Sequence, residues 1–338
     1  MNRRILLASL PADRLAATDF ELDEGERPTP GPGEIQVRTL AITIGAGQRA
    51  GLQGSASYAG APVTGVVMGG TGVGRVTASD VPEFPVGCLV TGPLGWQEWS
   101  VHRPTVLTRC TERPGTTEDP ALHLGLLGTN GLTAYFGLFD VGRPQPGETV
   151  LVSAAAGSVG HLVGQLARLH GCRTVGIAGS AEKCALLVDR LGFDAAVDHR
   201  APTFRADLAA ATPDGVDVYF DNVGGDVLGA ALRRMNRHGR IVCCGVVSQY
   251  DTSSPQPGPR GIPGLLVNQR IRMEGFLVFD FADRYEEART RLRAWHEEGR
   301  LVALQDEIDG LEHAPAAFVD LLAGGNVGTR IVRVGHDG

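Results

Sequence analysis

The chain has 338 residues, 43% hydrophobic and 20% charged, enough for two domains with a sizeable buried core. Its formal net charge of −7 argues against nucleic acid or an anionic membrane as main partner, since both need a basic face. No apolar run reaches the roughly 18 residues that span a bilayer, and the first fourteen residues lack the longer apolar region and cleavage site of an export signal; the expected location is cytoplasmic.

In chain order, Ile5–Leu10 reads as a first strand. The turn Pro30-Gly31-Pro32-Gly33 precedes the alternating segment Glu34–Arg38, a second strand. Val63–Val67, Gly74–Thr77 and Cys88–Thr91 are further short strands between Gly and Pro punctuation, so residues 1–125 predict a small β-rich barrel or sandwich. From about residue 146 strands and amphipathic helices alternate. Thr149–Ser153 is an apolar strand of the kind buried on both faces. Val159, Leu162, Val163, Leu166 and Leu169 then fall at near-helical spacing, closed by Gly171. Thr174–Ala178 is a strand, Ala181–Leu191 a helix ended by Gly192, and Val216–Phe220 a strand. Val227, Leu228, Ala231, Leu232 and Met235 form a helical stripe before the strand Ile241–Cys244. Asp251–Pro263 reads as a mobile loop, Met273–Phe279 as a strand, Tyr285–Trp295 as a long helix and Thr329–Val334 as a last strand. The alternation predicts an α/β fold with a parallel sheet and right-handed crossovers.

Six cysteines include no CxxC pair, so metal spacing and a disulfide framework are both poorly supported, and most read as small buried hydrophobes. The strand at 149–153 runs through Ala154-Ala155-Ala156 into Gly157, Ser158, Val159 and Gly160, which open a helix. A dinucleotide fingerprint needs this placement: glycines admit the pyrophosphate, and the helix N-terminus offers N–H groups to it. Alanine stands at the first glycine positions, and a tight turn without ligand is the alternative. After the next strand, Ser180 and Lys183 stand where they could reach a ribose 2′-phosphate, with Glu182 on the first helical turn. Lys183 is the single lysine among 31 basic residues. This favours NADPH over NADH.

The stretches GLTAYFGL (131–138), VSAAAGSVG (152–160), AGSAEK (178–183), FDNVGGD (220–226), CGVVSQY (244–250), MEGFLVFDF (273–281) and GGNVGTRIV (324–332) together resemble the zinc-independent medium-chain dehydrogenases/reductases. More narrowly they resemble the leukotriene/prostaglandin and alkenal double-bond reductases. The resemblance implies a GroES-like β-rich catalytic domain (1–125, with a return at 301–338) and a doubly wound Rossmann domain (126–300), sharing one cleft. It implies NADPH and reduction of the C=C bond of an α,β-unsaturated ketone or aldehyde. It also implies a homodimer joined through the strand near 273–279. Carried over at matching positions, the cofactor contacts are Gly157 to Gly160, Lys183, Asn222, the run Cys244, Gly245, Val246, Val247, Ser248 and Tyr250, then Phe276, Leu277, Val278 and Asn326. Tyr250 is the candidate donor to the substrate carbonyl, or else a cofactor wall. Asn222 has a helix cap as its alternative, Asn326 a left-handed turn position. His199 replaces the tyrosine usual near the adenosine end, where it could stack on adenine, pair with the 2′-phosphate or lie idle at the surface. The close-spaced cysteines and the Gly-His-Glu motif of zinc-dependent relatives are missing.

The substrate domain departs further. Where the family reads DPYMRGRM, this chain has residues 45–52, GAGQRAGL, a small and flexible segment on its composition, and Thr129-Asn130 replaces Met-Pro. Both changes suggest a roomier or more polar substrate, such as a bulky secondary metabolite. A quinone oxidoreductase and a non-catalytic NADPH-binding protein are the rival readings.

Overall fold

The computed structural model describes residues 1–54, 61–112 and 118–335. The chain divides into two compact units, Met1–Gly128 with Gln305–Gly338, and Thr129–Leu304. The first leg forms β1 (Asn2–Leu7), β2 (Phe20–Gly25), β3 (Ile35–Ile44), α1 (Ala46–Leu52), β4 (Val66–Val67), β5 (Gly72–Ser79), β6 (Leu89–Gly92), β7 (Trp99–His102) and β8 (Thr108–Arg109). β3 runs twice as far as its alternating start suggests, because beyond Arg38 both of its faces are covered. It pairs with β5 on one side and β7 on the same run of residues. Of the 63–67 strand only Val66 and Val67 pair, with β1.

The segment 45–52 is a correction: it is the helix α1 rather than a flexible run. Gln48 caps it, its Oε1 accepting from Gly45 N–H at 2.9 Å and its Nε2 donating to the Gly69 carbonyl at 2.9 Å. Arg49 is only 1% exposed and donates to the Asp13 carbonyl. A buried guanidinium anchors what small residues would otherwise leave loose.

The second unit contains α2 (Thr129–Phe136), β9 (Thr149–Val152), α3 (Gly160–Leu169), β10 (Arg173–Ala178), α4 (Ala181–Asp189), β11 (Ala195–Asp198), α5 (Phe204–Ala211), β12 (Val216–Asp221), α6 (Gly225–Leu232), β13 (Met235–Cys243), α7 (Ile262–Gln269), β14 (Arg272–Gly275) and α8 (Tyr285–Glu297). Its strands pair in parallel in the order β11-β10-β9-β12-β13-β14. This is the doubly wound order, in which the direction of winding reverses between the first and fourth strands, here β9 and β12. All four β9 residues are buried, as a central strand with both faces covered requires. Leu151, Val175, Tyr219 and Ile241 on the strands pack with Leu228 and Leu232 of α6 in one core.

Three sequence expectations shift. Met235 does not end the α6 stripe; it is buried at the start of β13, paired beside Val216. The 251–263 loop stops at Gly261, where α7 begins with Pro263 in its first turn, a position that needs no proline N–H. The strand expected over 273–279 ends at Gly275, and Val278–Arg284 coils into a short helix.

The chain returns to the first unit as β15 (Gln305–Asp309), α9 (Ala314–Leu322) and β16 (Thr329–Arg333), with β16 antiparallel to β3. Trp96 stacks on Phe20 at 5.4 Å and meets Phe318 of α9 edge-on at 5.9 Å, closing that core. No helix among the described residues is long and apolar enough to cross a membrane.

Candidate functional site

The carboxyl ends of β9, β10, β12 and β13 gather most of the expected residues, and in open parallel sheets this edge binds ligands. After β9, Ala155 N–H donates to the Ile177 carbonyl and Gly157 N–H to the Ala154 carbonyl, each at 2.9 Å. Ala154 takes φ +46°, a left-handed conformation that costs a non-glycine residue about 1–2 kcal/mol. The turn thus makes the bend of a glycine fingerprint with alanine at the strained position. A Cβ on Gly160 would lie 2.3 Å from the Ala154 oxygen, so only glycine lets α3 begin so close to the strand end. The turn brings Gly157, Ser158, Val159 and Gly160 to the head of α3, where the first-turn N–H groups and the positive end of the helix dipole suit a pyrophosphate. The close approach of helix and strand that Gly160 allows, with the helix N-terminus behind it, fits a dinucleotide.

At the end of β10, Ser180 caps α4, its Oγ accepting from Lys183 N–H at 3.3 Å. Glu182 is exposed, and its own backbone N–H and the Ser180 hydroxyl hold its carboxyl below the usual range. Lys183 is half-buried one turn into the helix. His199 follows β11, its N–H donating to the Ala178 carbonyl at 3.0 Å. Desolvation, with Arg200 next, lowers its pKa, so the ring is neutral near pH 7. A Cβ on Gly179 would meet His199 Nε2 at 3.3 Å and Arg200 Nε at 3.5 Å. Arg200, which the sequence reading passed over, therefore joins Ser180, Lys183 and His199 at this strand end.

Asn222 does not cap α6. Its backbone N–H donates to Ser153 Oγ at 2.9 Å and its Nδ2 to the Ser153 carbonyl at 2.8 Å, tying the ends of β12 and β9 at the point where the sheet reverses. The turn into α6 is held by Asp221 instead: Oδ1 accepts from the N–H groups of Val223 at 3.0 Å and Gly224 at 2.8 Å, and from the Tyr219 hydroxyl at 2.8 Å. Asp221, Tyr219 and Ser153 are all buried and were not singled out in the sequence.

The run 244–250 is knitted onto this strand end. Cys244 and Gly245 N–H donate to the Asp221 carbonyl, Val247 N–H to Asn222 and Ser248 N–H to Val223. Ser248 Oγ adds a bond to the Val223 carbonyl at 2.6 Å. Desolvation, with Asp221 second, pushes the Cys243 thiol up to about 11 and Cys244 up to about 12, so neither is a thiolate nucleophile at neutral pH. Of the six cysteines Cys110 and Cys172 are buried and the others are half-buried, fewer buried than the sequence suggested. The half-buried Tyr250 folds back so that its hydroxyl oxygen accepts from Val246 N–H at 3.2 Å.

Phe276 and Val278 turn inward. Phe276 packs edge-on against Phe220 at 6.5 Å, and Val278 is 7% exposed, its carbonyl accepting from the Tyr285 hydroxyl. Leu277 between them projects outward. Asn326 belongs to the other unit, in the turn between α9 and β16, where its Nδ2 donates to the Gly328 carbonyl at 3.0 Å. The left-handed positions of that turn are Gly324 and Gly328, not Asn326.

Known proteins match the chain along its whole length. A family model described as zinc-binding dehydrogenase matches residues 158–294, and one described as the N-terminal domain of oxidoreductase matches 3–110. The NADPH-dependent curcumin reductase of Escherichia coli is 40% identical over 99% of this chain and 98% of its own. The chain belongs to the medium-chain dehydrogenase/reductase family, of the quinone/alkenal reductase type. Within it, an NADP-dependent 2-alkenal reductase of Nicotiana tabacum is 42% identical over 82% of this chain and 79% of its own. A crystal structure of CurA from Vibrio vulnificus in complex with NADPH superposes with a TM-score of 0.93 at 38% identity, covering 99% of both chains. Among the described residues no group of three or more His, Cys, Asp or Glu could hold a metal ion.

Proposed function

We propose that this family member is an NADPH-dependent reductase of the C=C bond of α,β-unsaturated ketones and aldehydes. The observation that carries the reading is the full-length likeness to an NADPH-dependent reductase, joined to a turn in which glycine at 160 lets the head of α3 approach the end of β9 closely. When bound, NADPH supplies the hydride that adds to the β-carbon of the enone.

The chain's own groups do the rest. Gly157 to Gly160 receive the pyrophosphate, Lys183, Ser180 and Arg200 the 2′-phosphate, and His199 the adenosine end. Asn222, the 244–248 run, Phe276 to Val278 and Asn326 complete the cofactor contacts. Tyr250 donates to the carbonyl oxygen as enolate charge develops there; because its oxygen accepts from Val246, its own proton is the one available to give. The α-carbon proton comes from water. The glycines and alanine at 45–47 favour a bulky enone. The working form is a homodimer acting in the cytoplasm.

Loss of NADPH absorbance against a panel of enones, enals and quinones, with NADH as control, tests the reading. Enones and enals are expected to consume NADPH, and NADH far more slowly. Turnover of quinones alone would make the chain a quinone reductase, and binding without turnover a non-catalytic NADPH carrier.

A further inference from the structure

His161 lies in the first turn of α3, 1% exposed, where a histidine on an apolar helix face ordinarily fills core. Its ring instead makes two defined contacts. Nε2 stands 3.1 Å from the Leu304 backbone nitrogen, and Nδ1 stands 2.8 Å from the Gly157 carbonyl oxygen. A backbone N–H can only donate, so Nε2 is the bare acceptor, and the proton sits on Nδ1 and goes to Gly157. Burial pushes the pKa of His161 down to about 4, which keeps this tautomer in place at neutral pH.

The Gly157 carbonyl accepts from the His161 backbone N–H as well, at 3.2 Å. It is therefore drawn into α3 from two directions. In a planar trans peptide the N–H of the next residue points opposite to the carbonyl. Pinning Gly157 C=O inward turns the Ser158 N–H outward from the helix head, the direction an anion is bound. One turn later Gln165 donates to the Val302 carbonyl at 3.0 Å, accepts from Val302 N–H at 2.8 Å, and donates to the His161 carbonyl at 2.8 Å. The ring thus braces the glycine-rich turn against segment 302–304, the last residues before the chain leaves this unit.

We propose that His161 is a positioning residue for the cofactor cradle: through its two ring nitrogens it fixes the Gly157–Ser158 peptide and ties it to Leu304. This rests on the cofactor reading above, and it goes beyond it by assigning a residue that need not touch NADPH.

The test is NADPH titration of the full chain by fluorescence quenching, for wild type, His161→Leu, His161→Asn and His161→Gln, with thermal unfolding in parallel. Leucine removes both bonds. The asparagine amide can stand near the Nδ1 position and the glutamine amide near Nε2. His161→Leu is expected to raise the NADPH Kd about tenfold, the size of one lost hydrogen bond. His161→Asn stays within about threefold of wild type, and His161→Gln behaves like leucine. Should the leucine variant fail to fold, the comparison of asparagine with glutamine decides. Equal affinities for those two, or wild-type affinity in a folded leucine variant, overturn the inference while leaving the cofactor reading intact. A wild-type chain that binds no NADPH overturns both.

Discussion

Lys183 stands half-buried four residues beyond Gly179, which follows β10, with Ser180 capping its helix. An ammonium at the end of β10 acts as a point charge toward a 2′-phosphate and has nothing comparable to hold in NADH. Lys183→Ala is expected to raise the KM for NADPH by about tenfold and to leave that for NADH within about twofold, measured as initial rates with one enone. Equal effects on both would take the 2′-phosphate from Lys183. Tyr250 makes a different prediction because its hydroxyl is asked to act only as charge develops. Tyr250→Phe is expected to lower kcat by about 10²-fold with the NADPH Kd unchanged. An unchanged kcat would leave the ring as cofactor wall. Ser180, Lys183 and Tyr250 were singled out in the sequence by residue type and position. Arg200 was not, because it reaches the site only through the missing side chain of Gly179, a contact between neighbouring strands.

The elements that sequence revealed are those whose burial leaves a simple pattern. β9 is apolar throughout because both its faces are covered, and α3 shows helical spacing of its apolar residues although Gly160 to Ala167, His161 and Gln165 included, are all buried. The glycine-rich turn was legible from its place between them, even though Ala154 holds the left-handed position usually given to glycine. α1 and α7 were illegible for a shared reason: Gly, Pro and small side chains mark turns by default, and tertiary anchors override them. In α1 the anchor is the buried Arg49. In α7 it is the packing of Ile262, Leu265 and Leu266 on the core beneath β12 and β13. β14 was overread because an apolar run does not reveal where strand geometry stops; Leu277 and Phe279 face outward, 44% and 59% exposed. The Ser153–Asp221 contact joins residues 68 positions apart, and no local periodicity encodes it.

Among the described residues the parallel sheet ends at β14, whose outer side faces no further strand of this sheet. Such an edge is a row of backbone donors and acceptors, a template for another chain unless it is covered. A second copy related by a two-fold axis would satisfy it with the same strand and would bring the outward Leu277 and Phe279 of each copy close to the shared edge. We expect light scattering to return twice the 35.6 kDa chain mass. Phe279→Asp adds a charge beside that edge on a side chain already exposed, so it is expected to weaken the dimer without unfolding the chain, read as a concentration-dependent fall in mass at unchanged circular dichroism. A wild-type monomer would remove the dimer altogether. A dimer indifferent to Phe279→Asp would move its interface away from this edge, leaving β14 to be protected by its own brevity, four residues with Arg272 and Glu274 along them.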